Sequence, residues 1–326
     1  MRGHTARARM LALQYAPLLM FLLLIAVFGS LSERFLTPVN FINIVTQAAH
    51  IAIIAIGMTF VLLVAGIDLS VGANMYVSCI VVALYMKGWN PAFGFLVAGT
   101  LGLMFGAVNA FVITRLRVPA FIATLATLYI GRAIALYFSG VKMIPFGKEI
   151  LVLGRSTLLG IPAAIWIFLV VFVLAWVTLR LTTFGRQVYA VGADPEAAAK
   201  AGIDVPKILF AVYCICGVTA GIGGMVSASQ VAAAASTFGF QKEFPVIAAA
   251  VLGGTSLFGG RGGVVGTVFG AVLIQTVENG LVMTNADPYV YPLIVSVIIF
   301  IAVLVDSIRT GILERLEMRK IRVEET

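Results

Sequence analysis

Charged residues are scarce in this chain of 326 residues, and their scarcity excludes an ordinary soluble domain. They make up 11% of the sequence, whereas hydrophobic residues make up 61% and the mean hydropathy is +1.08. A soluble domain carries roughly a quarter of charged residues, because water must solvate its surface. The composition therefore predicts a polytopic membrane protein.

Cysteine and histidine are also rare, which argues against two further classes of protein. The chain has three cysteines and two histidines. Cys79, Cys214 and Cys216 are odd in number and lie within apolar runs, so the sequence predicts neither a disulfide framework nor a metal site. We expect this chain to bind no cofactor.

Motifs for nucleotide binding and catalysis are missing from the sequence. Gly147-Lys148 is followed by Glu149 rather than Ser or Thr, and the upstream glycine of a phosphate loop is absent. No nucleophile with a base and no catalytic metal cluster is visible. The chain is therefore not expected to be an enzyme. If it transports with energy from ATP, the ATP and Mg²⁺ are used by an ATPase on another chain.

Ten apolar runs are long enough, or nearly so, to cross a bilayer. Two of them are short, and glycine-interrupted runs of this kind can be broken helices buried by their neighbours. We predict an all-α polytopic membrane helix bundle of about ten spans, organised as a single transmembrane domain over residues 1–326. The runs are Leu11–Leu31, Ile44–Val64, Val71–Met86, Phe93–Thr114, Pro119–Ser139, Ala163–Leu179, Ile208–Val231, Phe244–Leu257, Val264–Met283 and Val290–Val305.

The distribution of basic residues predicts the orientation. With ten spans, 15 of the 22 Lys and Arg residues fall on one side, six fall on the other, and Arg132 falls inside a span. The richer side is cytoplasmic by the positive-inside rule. We therefore expect both termini on the cytoplasmic side of the membrane. The net charge of +8 then reflects contact with anionic lipid and does not call for nucleic acid.

One polar segment, Thr182–Lys207, interrupts the apolar runs on the cytoplasmic side and is patterned as two short helices. Thr183 is expected to cap the first, which would end at Gly192. Asp194 is expected to cap the second, which would begin with proline and end at Gly202. Small side chains give the second helix a smooth face that can lean on a partner: Ala197, Ala198 and Ala201.

Glycines recur every fourth residue in several spans, which predicts close approach of helix backbones in lipid. These glycines are Gly102 and Gly106, Gly217 and Gly221, and Gly262, Gly266 and Gly270. Two cytoplasmic hairpins, Gly66–Gly72 and Gly254–Gly260, share the pattern G-x-x-L-x-x-G. We expect Asp68 or Ser70 to cap the span that follows the first hairpin.

Polar side chains inside spans must face the bundle or water, so they mark candidate parts of a translocation path. Four of them lie on one face of the second span, namely Asn43, Thr46, Gln47 and His50. Asn74 and Ser78 form a smaller patch in the third span. The alternative for both patches is hydrogen bonding between helices, and His50 by itself is typical of a satisfied core histidine.

Two charges inside spans are conspicuous, Arg132 and Glu278. At the helical rise they lie ~21 Å and ~22 Å from the cytoplasmic ends of their spans. This common depth predicts an ion pair beside the outward part of the path, with Asn279 adjacent. The alternative is that Arg132 extends to the periplasmic surface and Glu278 faces water alone.

Four long motifs stand out along the chain, namely GMTFVLLVAGIDLSVGA (Gly57–Ala73), RLRVPAFIATLATLYIGRAIAL (Arg115–Leu136), FGRQVYAVGADPEAAAKAGI (Phe184–Ile203) and IAAAVLGGTSLFGGRGGVVGTVFGA (Ile247–Ala271). Together they resemble the permease subunit of ribose/xylose-type sugar ABC importers, which implies a location in the bacterial inner membrane. The resemblance runs in order along almost the entire chain. It implies a ten-span fold like that of the cobalamin importer's permease, a type II ABC importer.

The resemblance also implies partners. The expected assembly is a dimer of permeases beneath a periplasmic sugar-binding protein and above a tandem ATPase, with the polar segment contacting the ATPase. The coupling residues that it implies are Gly185, Arg186, Tyr189, Gly192, Asp194, Glu196, Ala197, Ala198, Ala201 and Gly202.

Other transporters remain as alternatives. Branched-chain amino-acid ABC permeases share the general architecture. An ion-coupled secondary transporter would need several carboxylates near the midplane, and only Glu278 is deep in a span. Where many sugar-importer relatives have two asparagines, this chain has Glu278-Asn279, so the sugar itself is not identified by the sequence.

Overall fold

The structure is a computed structural model that describes residues 21–231, 233–287, 289–294, 296–297, 300–301 and 304. Residues 11–20 of the first predicted run, part of the last run and both chain termini lie outside the described residues. The described helices with complete bounds are α1 Phe21–Leu31, α2 Pro38–Leu63, α3 Val71–Tyr85, α4 Pro91–Thr114, α5 Ala120–Ser139, α6 Lys148–Arg155, α7 Ala163–Leu181, α8 Thr183–Ala193, α9 Pro195–Lys200, α10 Val205–Gln230, α11 Glu243–Leu252 and α12 Val264–Met283.

Six of these helices are long and apolar enough to cross a membrane: α2, α4, α5, α7, α10 and α12. Three shorter apolar helices, α1, α3 and α11, coincide with other predicted runs. Helix is the expected state because a chain in hydrocarbon must satisfy its backbone polar groups internally. The prediction of a helical, multi-pass membrane protein is confirmed.

Burial separates inner helices from outer ones. The apolar stretches of α2 and α10 are mostly buried, whereas only 22% of the residues in those of α5 and α7 are buried. In a membrane protein an exposed apolar helix face meets lipid or another subunit. α2 and α10 therefore belong to the core of the bundle, and α5 and α7 belong to its periphery.

The glycine spacing accounts for close packing, as predicted. A Cβ atom on Gly102 of α4 would collide with the carbonyl oxygen of Gly217 on α10, and one on Gly106 would collide with that of Tyr213. In the same way, Gly266 of α12 lies against the backbone of Gly253, just after α11. Each contact brings two helix backbones together where a larger side chain would hold them apart.

The described strands are four two-residue pieces outside the spans. β1 Ile144–Pro145 pairs antiparallel with β4 Ala233–Ala234, and β2 Thr157–Leu158 pairs with β3 Ile161–Pro162. Leu159 and Gly160 connect β2 to β3 with φ values of 56° and 77°. Positive φ at both positions is what a two-residue hairpin requires. The first pair ties the segment after α5 to the segment after α10.

The polar segment folds as two helices, α8 and α9. The Oγ1 atom of Thr182, rather than of Thr183, accepts a hydrogen bond from the amide of Gly185, so α8 begins one residue earlier than a cap at Thr183 would place it. Asp194 caps α9 as predicted, because its carboxylate accepts from the amides of Glu196 and Ala197. Gly202 follows with φ of 84°.

The chain groups into two compact units. One contains the described residues of Met1–Phe41 and Thr276–Thr326, and the other is Ile42–Gln275. The larger unit contains the polar segment and most of the predicted path residues. The smaller unit contains Glu278 and Asn279. The single domain expected from the sequence stays a prediction.

Candidate functional site

The polar segment presents a charged and alanine-bearing surface. Arg186 of α8 is exposed, as are Glu196, Ala197, Lys200 and Ala201 on or next to α9. Asp194 is exposed as well, and its carboxylate is occupied by the helix cap. These side chains are available to a partner.

Ala198 corrects the expected alanine face. Its side chain is 5% exposed and points into the chain, whereas Ala197 and Ala201 point outward. The reason is helical periodicity. Positions 197 and 201 are four apart and lie on one face of the helix, whereas position 198 lies further around the axis, on the side that faces the rest of the chain. Ala198 therefore packs within the chain and is not part of an exposed docking face.

Two further members of the predicted coupling set are buried backbone positions. A Cβ on Gly185 would collide with the carbonyl oxygens of Thr178 and Leu179 at the end of α7. One on Gly192 would collide with the carbonyl oxygen of Leu63. These glycines permit close approach of the chain to itself, and they offer no side chain to a partner.

Tyr189 points toward the second glycine hairpin and its neighbouring turn. Its hydroxyl donates a hydrogen bond of 2.9 Å to the carbonyl oxygen of Gly262. Burial raises the pKa of Tyr189, so the phenol stays protonated and remains a donor at neutral pH. Beside it lies a cavity of about 240 Å³ that is lined by Arg180, Gly253 and the first residues of α12.

The end of the polar segment carries a short-range ion pair. Lys207 Nζ lies 2.7 Å from Asp204 Oδ2, and the Asp204 carboxylate also accepts from the amide of Lys207. The hydrogen bond from the Lys207 side chain lowers the pKa of Asp204. Asp204 thereby caps α10, while the two side chains remain in solvent.

The polar stripe of α2, which consists of Asn43, Thr46, Gln47 and His50, contains residues whose surroundings differ from one another. Asn43 and Gln47 are exposed, and the Thr46 hydroxyl donates to the Ile42 carbonyl of its own helix. The Oε1 atom of Gln47 accepts a hydrogen bond of 3.2 Å from Nε2 of Gln275 on α12. Gln275 was not singled out from the sequence, although its amide within an apolar span is the same kind of signal.

His50 differs from the satisfied core histidine that we expected. It is 8% exposed, and neither ring nitrogen has a hydrogen-bond partner. A buried polar group without a partner is uncommon and calls for a water or ligand that completes it. His50 is therefore the stripe residue whose hydrogen-bonding capacity is left unused.

Arg132 is held by a loop rather than extending freely. Its Nη1 donates a hydrogen bond of 2.7 Å to the carbonyl oxygen of Phe238, and its guanidinium lies 5.1 Å from the ring centres of Tyr76 and Phe240. Glu243, which is buried at the start of α11, attracts it electrostatically. Arg132 thus organises the segment between α10 and α11.

Glu278 and Asn279, in the smaller unit, also have partners there. The Tyr291 hydroxyl donates to Oε2 of Glu278 over 3.2 Å. Asn279 exchanges two amide hydrogen bonds of 3.0 Å with Asn40. The predicted pairing of Arg132 with Glu278 joins residues of different units and stays a prediction.

Asn74 and Ser78 follow the structural alternative, which is hydrogen bonding between helices. Both are buried, Nδ2 of Asn74 donates to the Gly217 carbonyl on α10, and the Ser78 hydroxyl donates to Oδ1 of Asn74. With its amide engaged on both sides, Asn74 serves α3–α10 packing. Its place in the path stays a prediction.

A buried polar network, which the sequence alone did not reveal, surrounds the first glycine hairpin. Oδ1 of Asp68 accepts from the amide and the hydroxyl of Ser70 and from Nδ2 of Asn109 on α4. The Thr127 hydroxyl of α5 donates to Asn109. The expected cap of α3 is therefore corrected: Ser70 makes no side-chain cap, and Asp68 bonds to its own hairpin and to α4.

Comparison with known proteins identifies relatives over most of the chain. The family described as "Branched-chain amino acid transport system / permease component" matches residues 40–304. The ribose import permease protein RbsC of Bacillus subtilis is 37% identical over 89% of this chain and 91% of its own. RbsC of Escherichia coli K12 is 37% identical over 90% and 94%, and the D-allose transport system permease protein AlsC of that strain is 34% identical over 90% and 92%. No solved structure matches.

Proposed function

The chain belongs to the permease-component family of branched-chain amino acid transport systems, and we propose that it conducts a sugar through the membrane as the permease subunit of an ABC importer. The observation that carries the substrate class is the identity of 34–37% to permeases named for ribose and D-allose over nine-tenths of the chain. As a permease it is a transport subunit, and a separate ATPase subunit supplies the energy.

We propose that the ATPase docks on the exposed members of the polar segment. Arg186, Glu196, Ala197, Lys200 and Ala201 are exposed on the side that the basic residues assign to the cytoplasm. Two small side chains next to a carboxylate and an ammonium suit a groove with complementary charge. Other members of the predicted set shape this surface from below, namely the buried Gly185, Gly192 and Ala198 and the half-buried Tyr189, and Asp194 and Gly202 bound α9.

The sugar path is proposed to run past the stripe of α2. Amide and imidazole groups suit hydroxyl-bearing substrates because they can both donate and accept hydrogen bonds. The amide and imidazole groups belong to Asn43, Gln47 and His50, and Thr46 adds a hydroxyl. The unused ring nitrogens of His50 support its place among these residues. Arg132, Glu278 and Asn279 are proposed to lie toward the outward end of the path.

The remaining partners follow from the family. An ABC importer receives its substrate from a binding protein, and we propose a periplasmic sugar-binding protein above this chain and a second permease copy beside it. The exposed apolar faces of α5 and α7 are consistent with lipid or a second copy as neighbours. The family's own description keeps a branched-chain amino acid as the second candidate substrate.

Ten spans with both termini in the cytoplasm of the inner membrane are proposed as the topology. Nine described helices coincide with nine of the predicted runs, and helical residues recur within 290–304. The excess of basic residues on one side supports the orientation. On this topology α6 and both small strand pairs face the periplasm.

Reporter fusions test the topology. Fusions of alkaline phosphatase at Gly140 and Gly160 are expected to be active, because both residues lie on the side with few basic residues. A fusion at Arg117 is the cytoplasmic control and is expected to be inactive. Activity at Arg117, or a silent fusion at either glycine, would contradict ten spans with this orientation.

Reconstitution tests the transport function. In proteoliposomes that contain this chain, its ATPase and its binding protein, we expect ATP-dependent uptake of labelled D-ribose or another sugar, and no uptake of leucine. The chain alone is expected to hydrolyse no ATP, because it lacks a phosphate loop. Leucine uptake without sugar uptake would favour the second candidate, and ATP-independent uptake driven by an ion gradient would refute an ABC importer.

A further inference from the structure

The end of α2 and the second glycine hairpin, Gly254–Gly260, meet at α8 of the polar segment. The amide of Gly260 donates a hydrogen bond of 2.9 Å to the carbonyl oxygen of Leu63, at the end of α2. Gly192 of α8 lies against both groups, since a Cβ there would collide with that oxygen and reach within 2.7 Å of the Gly260 nitrogen. We call Leu63, Gly192 and Gly260 the glycine junction.

Two side-chain contacts from the part of α8 that precedes Gly192 also fasten this helix. The Tyr189 hydroxyl donates to the Gly262 carbonyl, two residues before α12 begins. The ring of Phe184, near the start of α8, stacks on that of Phe60 in α2 with 6.5 Å between centres. α8 is therefore attached directly to the end of α2 and to the turn that starts α12.

α2 and α12 are in turn joined to each other within the larger unit. The hydroxyls of Thr59 and Thr267 lie 2.6 Å apart in a buried hydrogen bond, and Gln275 donates to Gln47. Gln47 precedes Leu63 by 16 positions, which corresponds to about 24 Å of helix. The same two helices thus contact α8 at one end and carry path amides far from it.

Contacts between backbones transmit displacement because no flexible side chain intervenes to absorb it. At the glycine junction the atoms in contact are main-chain nitrogen and oxygen atoms. The cavity of about 240 Å³ beside Tyr189 and the first residues of α12 leaves room for these elements to shift. A movement of α8 must then move the ends of α2 and α12, or break the hydrogen bonds that join Gly260 to Leu63 and Tyr189 to Gly262.

We propose that the glycine junction passes motion of the polar segment to α2 and α12, and through them to Gln47 and Gln275. The proposal rests on the proposed function, in which the ATPase moves the polar segment. Gly192 and Tyr189 are positioning residues in this scheme: they touch neither ATPase nor sugar, and they set how much transport each ATP drives.

The experiment uses the full transporter in proteoliposomes, with the permease, its ATPase and its binding protein, and labelled D-ribose as the first probe. Gly192→Ala inserts a methyl group into the junction, and Tyr189→Phe removes only the hydroxyl. We expect both variants to co-purify with the ATPase, and the sugar transported per ATP hydrolysed to fall about tenfold in Gly192→Ala. Gly99→Ala is the matched control, because its new Cβ meets nothing within 4 Å.

Two outcomes would contradict the proposal. An unchanged ratio of sugar to ATP in Tyr189→Phe and Gly192→Ala would show that the junction carries no coupling. Loss of ATPase co-purification would show that these residues form the docking surface. If Gly192→Ala does not fold, Tyr189→Phe decides alone, with a decrease of a few fold expected. A wild-type chain that binds no ATPase would instead refute the proposed function.

Discussion

Arginine in place of Ala197 is expected to abolish sugar uptake without preventing insertion of the chain. Ala197 is exposed on α9, so the new side chain meets solvent in the isolated permease and costs little there. In the proposed complex it would enter a close interface, where an unpaired charge costs about 3 kcal/mol or more. The affinity for the ATPase should then fall about a hundredfold.

Binding of the ATPase to detergent-purified permease, together with uptake in cells, measures this effect. Ala199→Arg is the matched control, because Ala199 is also exposed and lies about 200° around the helix from Ala197. Ala198→Arg is unsuitable as a docking test, since that side chain is buried in the permease and the variant would disturb α9 itself. Normal ATPase binding by Ala197→Arg would reject α9 as the docking helix.

Leucine in place of Arg132 is expected to give the second large effect, a loss of transport accompanied by lower stability. The variant removes the donor to the Phe238 carbonyl, the cation between the rings of Tyr76 and Phe240, and the positive charge that attracts buried Glu243. A charge-assisted hydrogen bond and two cation–π contacts together contribute about 3 kcal/mol. The segment between α10 and α11 should therefore lose its fixed position.

Thermal unfolding of the purified permease and uptake in proteoliposomes are the measurements for Arg132→Leu. Arg155→Leu provides the control, because Arg155 is an exposed arginine at the end of α6. Equal behaviour of the two variants would contradict the role given to Arg132. Addition of Glu278→Leu then tests the predicted ion pair, for which the double variant should recover part of the loss. Strictly additive damage would count against pairing.

Much of the fold was predictable because hydropathy and capping are local properties. The apolar runs became helices, since a backbone in hydrocarbon has few other ways to satisfy its polar groups. Asp194 capped α9 as expected, because an N-cap depends only on the next three residues. The glycines of α4 and α10 came together because small residues at every fourth position leave a groove on one helix face.

The predictions that failed share a different cause. Ala198 was grouped with its exposed neighbours because a sequence does not reveal how far a short helix is rotated against the rest of the chain. Asp68 or Ser70 was expected to cap α3, but Ser70 makes no side-chain cap and Asp68 accepts from Asn109, 41 residues later. His50 was expected to find a partner, and both of its nitrogens remain without one. Each outcome depends on which distant residue lies opposite.

The sequence by itself determined the class of the protein, its apolar helices, the Asp194 cap of α9 and the positions where backbones approach, because each of these depends on residues within a few positions of one another. Only the tertiary structure decided that Gly260 bonds to Leu63, that Tyr189 reaches Gly262 and that Arg132 is held by Phe238. These contacts join residues 73 to 197 positions apart in the chain. Helix rotation and register set them, and no local pattern of residues encodes either.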